Sequence, residues 1–305
     1  MWRGMDNEGS LLVGRTTGDS VLLSRRVQQL SEAGLQAEYL SGHDLLKVEP
    51  ALMVGEHSSA AFLPDDCQLD AHRTVAFIER ANRHFSSKGR YAEFYHEPVI
   101  RLLRSASCGE FEAVQTSKTT LYSKKAIIVA AGCWSGSLMD ELLRESEILL
   151  HVPVRPRKGH LLMLENSDVL QLNHGLMEPS MSYHPYDIFS GSSRQFAGFS
   201  SEVDERIITG IWKRAVEFFP KLKELPLSEF SKGRKVRVGL RPYIPDGKPM
   251  IGPVPGLTNV FLATGHEGGG LAMGLGTAEM VADLVLGNPV RVNNTPFAVQ
   301  GRCGS

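Results

Sequence analysis

The stretch ATGHEGGGLAMGLG, from Ala263 to Gly276, constrains this chain more than any other. It follows the apolar run NVFL and precedes TAEMVADLVLG, so a strand enters a glycine cluster and a helix leaves it. A helix start exposes unpartnered backbone N–H groups and the positive end of the helix dipole, and so attracts negative charge. The run Gly268, Gly269, Gly270 also costs backbone entropy on folding. The turn nevertheless fails the dinucleotide spacing G-x-G-x-x-G, because Met273 stands where a third small residue is needed. Nor does an acidic residue follow about twenty positions on, where Pro289 and Val290 lie. Two readings stay open at this point: an anion cradle, or a glycine-rich start that only lets helix and strand pack closely.

With 305 residues the chain suits one large domain or two closely joined ones. A formal net charge of -1, and no basic run with interleaved aromatics, argue against nucleic-acid binding. No unbroken apolar run approaches the roughly 18 residues of a membrane helix. The N-terminus, MWRGMDNEGS, has neither the apolar core of a signal peptide nor the composition of a transit peptide. Cys67, Cys108, Cys133 and Cys303 are too sparse for a disulfide framework and show no zinc spacing. The expectation is a soluble intracellular protein, in the cytoplasm or an organelle, without a metal.

Hydrophobic periodicity divides the chain into two textures. In the first 66 residues SLLVG predicts a strand, Asp19 a helix cap with the helix running to Leu30 and Gly34 beyond it, Gln36 to Leu40 a second strand, and Ser41 the cap of a short helix. Asp70 predicts a helix that runs to Gly89, with Ala71, Val75, Ile78 and Phe85 as its core stripe. Strands are then predicted at Tyr91–Tyr95 and Val99–Arg104, and a hairpin at Phe111–Ser117 and Thr119–Ser123. The run AIIVAA, Ala126–Ala131, reads as a parallel strand covered on both faces, followed by a helix over Ser135–Leu143. Residues 151–243 hold more proline and alternating segments, and a helix at Asp204–Phe219 with Ile207, Ile211, Ala215 and Phe218 inward. Residues 288–305 carry little pattern and read as a fraying tail.

Three further segments carry chemistry. IIVAAGCWSGS ends a strand on small residues at Gly132, which lets a ligand approach the backbone or simply closes a tight turn. In GLRPYIPDGKPMIGPVPG, Arg241 stands in an apolar setting; it is either a bidentate partner for a carboxylate or one half of a surface ion pair. VPVRPRKGHLLML is basic and then strand-like, and its charges read as a solvated face.

Taken in order, IIVAAGCWSGSL, VPVRPRKGHLLML, GSSRQFAGFSSEVD and the block from Gly239 to Gly287 resemble the D-amino-acid oxidase superfamily of FAD-dependent oxidoreductases, in the branch of glycine oxidase and sarcosine oxidase-like enzymes. The resemblance spans roughly residues 20–290 and is most specific at its C-terminal end. It implies an α/β (α+β) fold in which a Rossmann-like FAD domain, 67–150 and 244–287, is interleaved with a mostly antiparallel substrate domain, 1–66 and 151–243, before the tail at 288–305. Residue by residue, it implies Val99 near the adenine and Ala130, Ala131, Gly132 and Trp134 along the adenosine. Gly159 would lie near the flavin ring. Gly265, His266, Gly268, Gly269, Gly270 and Leu271 would lie against the ring's pyrimidine side. Arg241 would hold the substrate carboxylate. No cysteine stands near Tyr243, so the implied FAD is non-covalent.

The sequence departs from the family in one large respect. The family's opening βαβ unit, with G-x-G-x-x-G after its first strand, is not found in these residues, and GSLLVGRTTGDSV resembles the segment that follows it. IFSGSSRQF is also less apolar than in relatives. The expectation is an incomplete Rossmann-like domain. The implied function is oxidation of a C–N bond of a small amine or amino acid; the alternative is a shortened, flavin-deficient, non-enzymatic form. A nicotinamide-dependent dehydrogenase lacks any supporting fingerprint.

Overall fold

A computed structural model describes residues 9–106, 109–144, 148–164, 170–179, 187–188, 192–225, 234–289 and 291–304. Cys108, the N-terminal residues 1–8 and residues 189–191 of IFSGSSRQF lie outside the described residues. The strands are β1 (Ser10–Gly14), β2 (Glu38–Ser41), β3 (Ser59–Leu63), β4 (Val99–Arg104), β5 (Phe111–Thr116), β6 (Thr120–Tyr122), β7 (Ile127–Val129), β8 (Arg155–Leu164), β9 (Gly175–Met177), β10 (Asp187–Ile188), β11 (Ser193–Arg194), β12 (Arg234–Tyr243), β13 (Met250–Pro253) and β14 (Val260–Thr264). The helices are α1 (Thr17–Glu32), α2 (Gly42–Val48), α3 (Ala71–Arg83), α4 (Ser135–Leu142), α5 (Glu205–Phe218) and α6 (Gly270–Leu286). The mixed α/β content matches the expected fold class.

The chain divides into two compact units. The first holds Met1–His84, His160–Gln195 and Glu202–Val238; the second holds Phe85–Gly159, Phe196–Ser201 and Gly239–Ser305. These limits differ from those drawn on the sequence: α3 counts with the first unit, and residues 151–159 with the second. β8 and β12 pair with each other, and each runs from one unit into the other along the chain.

In the first unit the sheet order is β2-β3-β1-β9, with β3 antiparallel to both neighbours and β9 parallel to β1. Leu11 and Val13 of β1 pack with Leu45, Leu52, Ala215 and Phe218 in one core. α5 is the helix its periodicity predicts: Asp204 caps it, and Ile207, Ile211, Ala215 and Phe218 are all buried, with Ile208 beside them. The α1 cap is a correction. Thr16 is the cap residue, and Asp19, three residues on, returns a bond to the Thr16 backbone in a capping box. Gly34 beyond the helix has φ +82°, in the left-handed region. α3 is a second correction: its stripe is not core, since none of its residues is buried and Val75 is 52% exposed. An amphipathic period predicts a helix; it does not supply the element that covers it.

In the second unit β4, β5 and β6 form an antiparallel meander, and β13-β14-β7 a mixed sheet in which β7 runs parallel to β14. Asn259 joins the two sheets: its side chain accepts from Phe111 N–H at 3.2 Å and donates to Phe111 O at 2.6 Å. Met139, Val152, Met250, Val260 and Leu262 centre the core. β7 is shorter than expected, and Ile128 is exposed, so only one face of the strand is covered. Tyr91–Tyr95 is not a strand. The basic run lies within β8 itself and is no solvated face either, since Lys158 is buried. The tail does not fray: Val299 is buried in the core, Gly304 pairs with His151, and Arg302 donates to Asp246 at 2.7 Å and to Lys248 O at 2.6 Å.

The helical stretch Glu267–Leu286 is long and apolar enough to cross a membrane by length and composition alone. A search for unbroken apolar runs misses it because Glu279 and Asp283 interrupt the run.

Candidate active site

All thirteen residues singled out from the sequence lie in the second unit. β14 enters the glycine turn, and Thr264, its last residue, ties this turn to the one after β7. The Ser135 hydroxyl donates to Thr264 Oγ1 at 3.0 Å, and Thr264 Oγ1 donates to Gly132 O at 2.9 Å. Both side chains are buried. The two glycine turns, at Gly132 and Gly265, are therefore held together by a buried hydroxyl chain that the sequence reading missed. Both hydroxyls stand in the two glycine stretches singled out from the sequence, but nothing local could have announced that they meet, 129 positions apart.

Each turn needs its glycine for a stated reason. Gly132 has φ +56° and Gly265 φ +84°, where a side chain is strained. A Cβ on Gly265 would also lie 2.8 Å from Ile244 Cγ1. His266 follows, its Nε2 2.8 Å from Thr277 Oγ1 in the second turn of α6. Burial disfavours the imidazolium and holds the His266 pKa below its ordinary value. Gly269 then precedes α6, and no side chain caps this helix. A short 3-10 turn, Glu267–Gly269, leads directly into it, and the Gly269 N–H donates to His266 O at 2.9 Å.

Gly159 and Arg241 meet across β8 and β12. A Cβ at position 159 would lie 2.8 Å from Arg241 Cζ and 2.9 Å from Nη2, so the guanidinium occupies the space that a side chain would fill. Alternation along the strands puts Arg157 on the same face of β8 as Gly159, and Tyr243 on the same face of β12 as Arg241. The Arg157 guanidinium lies 5.0 Å from the Tyr243 ring centre and 5.7 Å from that of Phe196, and Phe196 and Tyr243 meet edge to face at 5.0 Å. Arg157 also pairs with Glu267 at 2.7 Å. The sequence reading passed over Arg157, Glu267 and Phe196; only the period-two alternation of β8 could have pointed to the first.

The remaining residues are placed more loosely. Ala130 and Ala131 continue from β7, and Trp134 is exposed and stacked on Phe199 with centroids 5.9 Å apart. Val99 opens β4 opposite Thr116; no hydrogen bond or ring contact among the described residues ties it to the glycine turns. Cys133 is a buried residue whose thiol pKa burial pushes up, which suits packing rather than reactivity. No group of three metal-ligating side chains occurs among the described residues.

The chain is similar to glycine oxidase of Pseudomonas aeruginosa, at 30% identity over 192 residues, which cover 62% of this chain and 49% of that protein. It is also similar to the D-amino acid dehydrogenase of Neisseria meningitidis serogroup C, at 26% over 299 residues, or 96% of this chain and 67% of that one. The chain thus spans about half the length of the glycine oxidases it matches. Among solved structures, glycine oxidase from Geobacillus kaustophilus has the same fold, with a TM-score of 0.78 at 21% identity over 99% of this chain and 76% of that one. L-proline dehydrogenase from P. horikoshii gives 0.79 at 17% identity, over 97% and 76%. The model of the FAD dependent oxidoreductase (DAO) family matches residues 3–284, and the chain belongs to that family.

Proposed function

We propose that this chain, with FAD bound, oxidises a C–N bond of a small amino acid or amine. The observation that carries the reading is the Gly159–Arg241 pair, in which a glycine clears the space for a guanidinium. A guanidinium binds a carboxylate through two parallel hydrogen bonds in a fixed plane, which orients an amino acid as well as holding it. The relatives named above are a glycine oxidase and a D-amino acid dehydrogenase, which supports an amino-acid substrate.

The residues present fit the ring end of FAD. The start of α6 has no side-chain cap, and Gly268, Gly269 and Gly270 add no side chain there; space is open at Gly268, while the Met273 methyl lies 2.6 Å from where a Gly269 Cβ would stand. The turn at Ala130–Trp134, with Gly132 at positive φ, fits the adenosine side. FAD, when bound, supplies the two-electron acceptor. The chain's own work is to bind and orient. Gly265, His266 and Leu271 would hold the flavin ring, Arg241 would fix the carboxylate, and the α6 N-terminus would stabilise negative charge. On this reading the second unit is the cofactor domain and the first contributes the substrate domain.

The test is a titration of the purified protein with FAD, followed by absorbance near 370 and 450 nm, approximate positions for any oxidised flavin. Uptake is expected; no uptake sinks the reading and leaves the flavin-deficient alternative. In the loaded protein, Arg241→Lys should raise KM for a carboxylated substrate by about tenfold or more with a smaller change in kcat. Gly159→Ala should act in the same direction by displacing the guanidinium. An unmoved KM in both removes Arg241 from the carboxylate role.

A further inference from the structure

Two charged residues at the glycine turn have no part in the reading above. Arg157 Nη1 lies 2.7 Å from Glu267 Oε1, and the two side chains are 14% and 28% exposed. The guanidinium is held over Tyr243 and Phe196, so its position is fixed before it meets the carboxylate. Glu267 opens the 3-10 turn that leads directly into α6, and its φ of +47° is in the left-handed region that glycine favours. Its neighbour Gly268 could take such a conformation without strain; a glutamate stands here instead.

A carboxylate at the approach to a helix ordinarily turns to the helix's unpartnered N–H groups, and the dipole draws it there. No side chain caps α6, although Glu267 is close enough in sequence to do so. Its carboxylate is paired with Arg157 instead. We infer that Arg157 is a positioning residue that holds the Glu267 carboxylate off the N-terminus of α6 and so keeps that terminus open to an anionic group of a ligand. Without Arg157, Glu267 becomes an internal competitor for the same donors. The inference rests on the proposed flavin reading for the identity of the ligand, but the hold itself is a property of the chain alone.

The two partners of the pair are therefore unequal. Loss of Arg157 releases a competitor; loss of the Glu267 charge releases nothing. A salt bridge that served only stability would make the two losses alike. The experiment compares Arg157→Gln, Glu267→Gln and the double variant, with Arg157→Lys as the variant that keeps a cation. In flavin-free, isotope-labelled protein, amide hydrogen exchange is read at Gly268, Gly270 and Leu271, since the Gly269 N–H already donates to His266 O. Arg157→Gln should slow exchange at one or more of these amides by about tenfold, as the carboxylate caps them. Glu267→Gln and the double variant should exchange at parent rates. FAD affinity, read by fluorescence titration, should fall about tenfold in Arg157→Gln, stay at the parent value in Glu267→Gln, and return in the double variant.

Equal losses in the two single variants, or parent exchange rates in Arg157→Gln, overturn the inference. If Arg157→Gln does not fold, Arg157→Lys and Glu267→Gln decide it: both should bind FAD as the parent does, and a loss in Glu267→Gln overturns it. If the parent takes up no FAD, the flavin reading fails and the amide rates alone decide whether Arg157 holds the carboxylate away.

Discussion

α5 and α6 are helices of similar length with opposite fates. α5 begins at a capping aspartate, Asp204, whose own N–H donates to the buried His160 ring, and it buries five residues along one stripe. α6 is the more uniformly apolar of the two, yet only Val281 is buried, Met273 and Leu275 are 39% and 71% exposed, and its N-terminus has no side-chain cap. Burial therefore follows what lies against a helix, not how apolar the helix is. The contrast has a second half. Where the chain needs architecture it spends a side chain on the helix start; where the ligand is proposed to bind, the start is left bare and the nearest carboxylate is tied elsewhere.

The largest test of this contrast is a truncation in α5. Ile211→Ala should lower stability by about 2–5 kcal/mol, because a fully buried branched side chain leaves a cavity behind. Chemical denaturation measures it, and a loss below about 1 kcal/mol would break the assignment of α5 to a packed core. Next comes the entry to α6. Gly265→Ala puts a Cβ at φ +84° and against Ile244, and should cost about 1–3 kcal/mol while weakening FAD uptake, since the turn must move.

Acidification should act more gently at the same place. Burial favours neutral His266, so its folded pKa lies below the unfolded value of 6.5. The unfolded chain then binds more protons in the window just below that value, and stability falls as the pH drops through it. His266→Gln should flatten the slope of stability against pH there; an unchanged slope would remove His266 as its source. The smallest effect belongs to the exposed face of α6. Leu275→Gln should leave stability within about 0.5 kcal/mol of the parent, whereas the same class of change in α5 would not be tolerated. A large loss would mean that this face is covered in solution.

Much of the fold was legible because local rules produce it. The stripe in α5, the Ser41 cap of α2, the β5–β6 hairpin and the strand, glycine turn and helix at β14–α6 were each read from spacing and cap chemistry that act within a turn or two. The errors share one cause. α3 has the right period and no cover, the tail has no period yet is pinned by Arg302, and Lys158 looks solvated in a list of residues but is buried in a strand. Periodicity reports which face of an element is apolar; whether another element arrives there is decided elsewhere in the chain.

The same division holds at the candidate site. By itself the sequence determined that a glycine cluster opens α6, that the strand at AIIVAA ends in a turn at Gly132, and that Arg241 stands between a glycine and a proline in an apolar setting, since all three follow from residue type and neighbours. Only the tertiary structure brought the Arg241 guanidinium over Gly159, joined the two turns through Ser135 and Thr264, and set Arg157 against a glutamate 110 positions away. Those contacts depend on which strands pair and in which register. That choice belongs to the whole fold, because a shift of one residue along a strand turns every side chain to the other face.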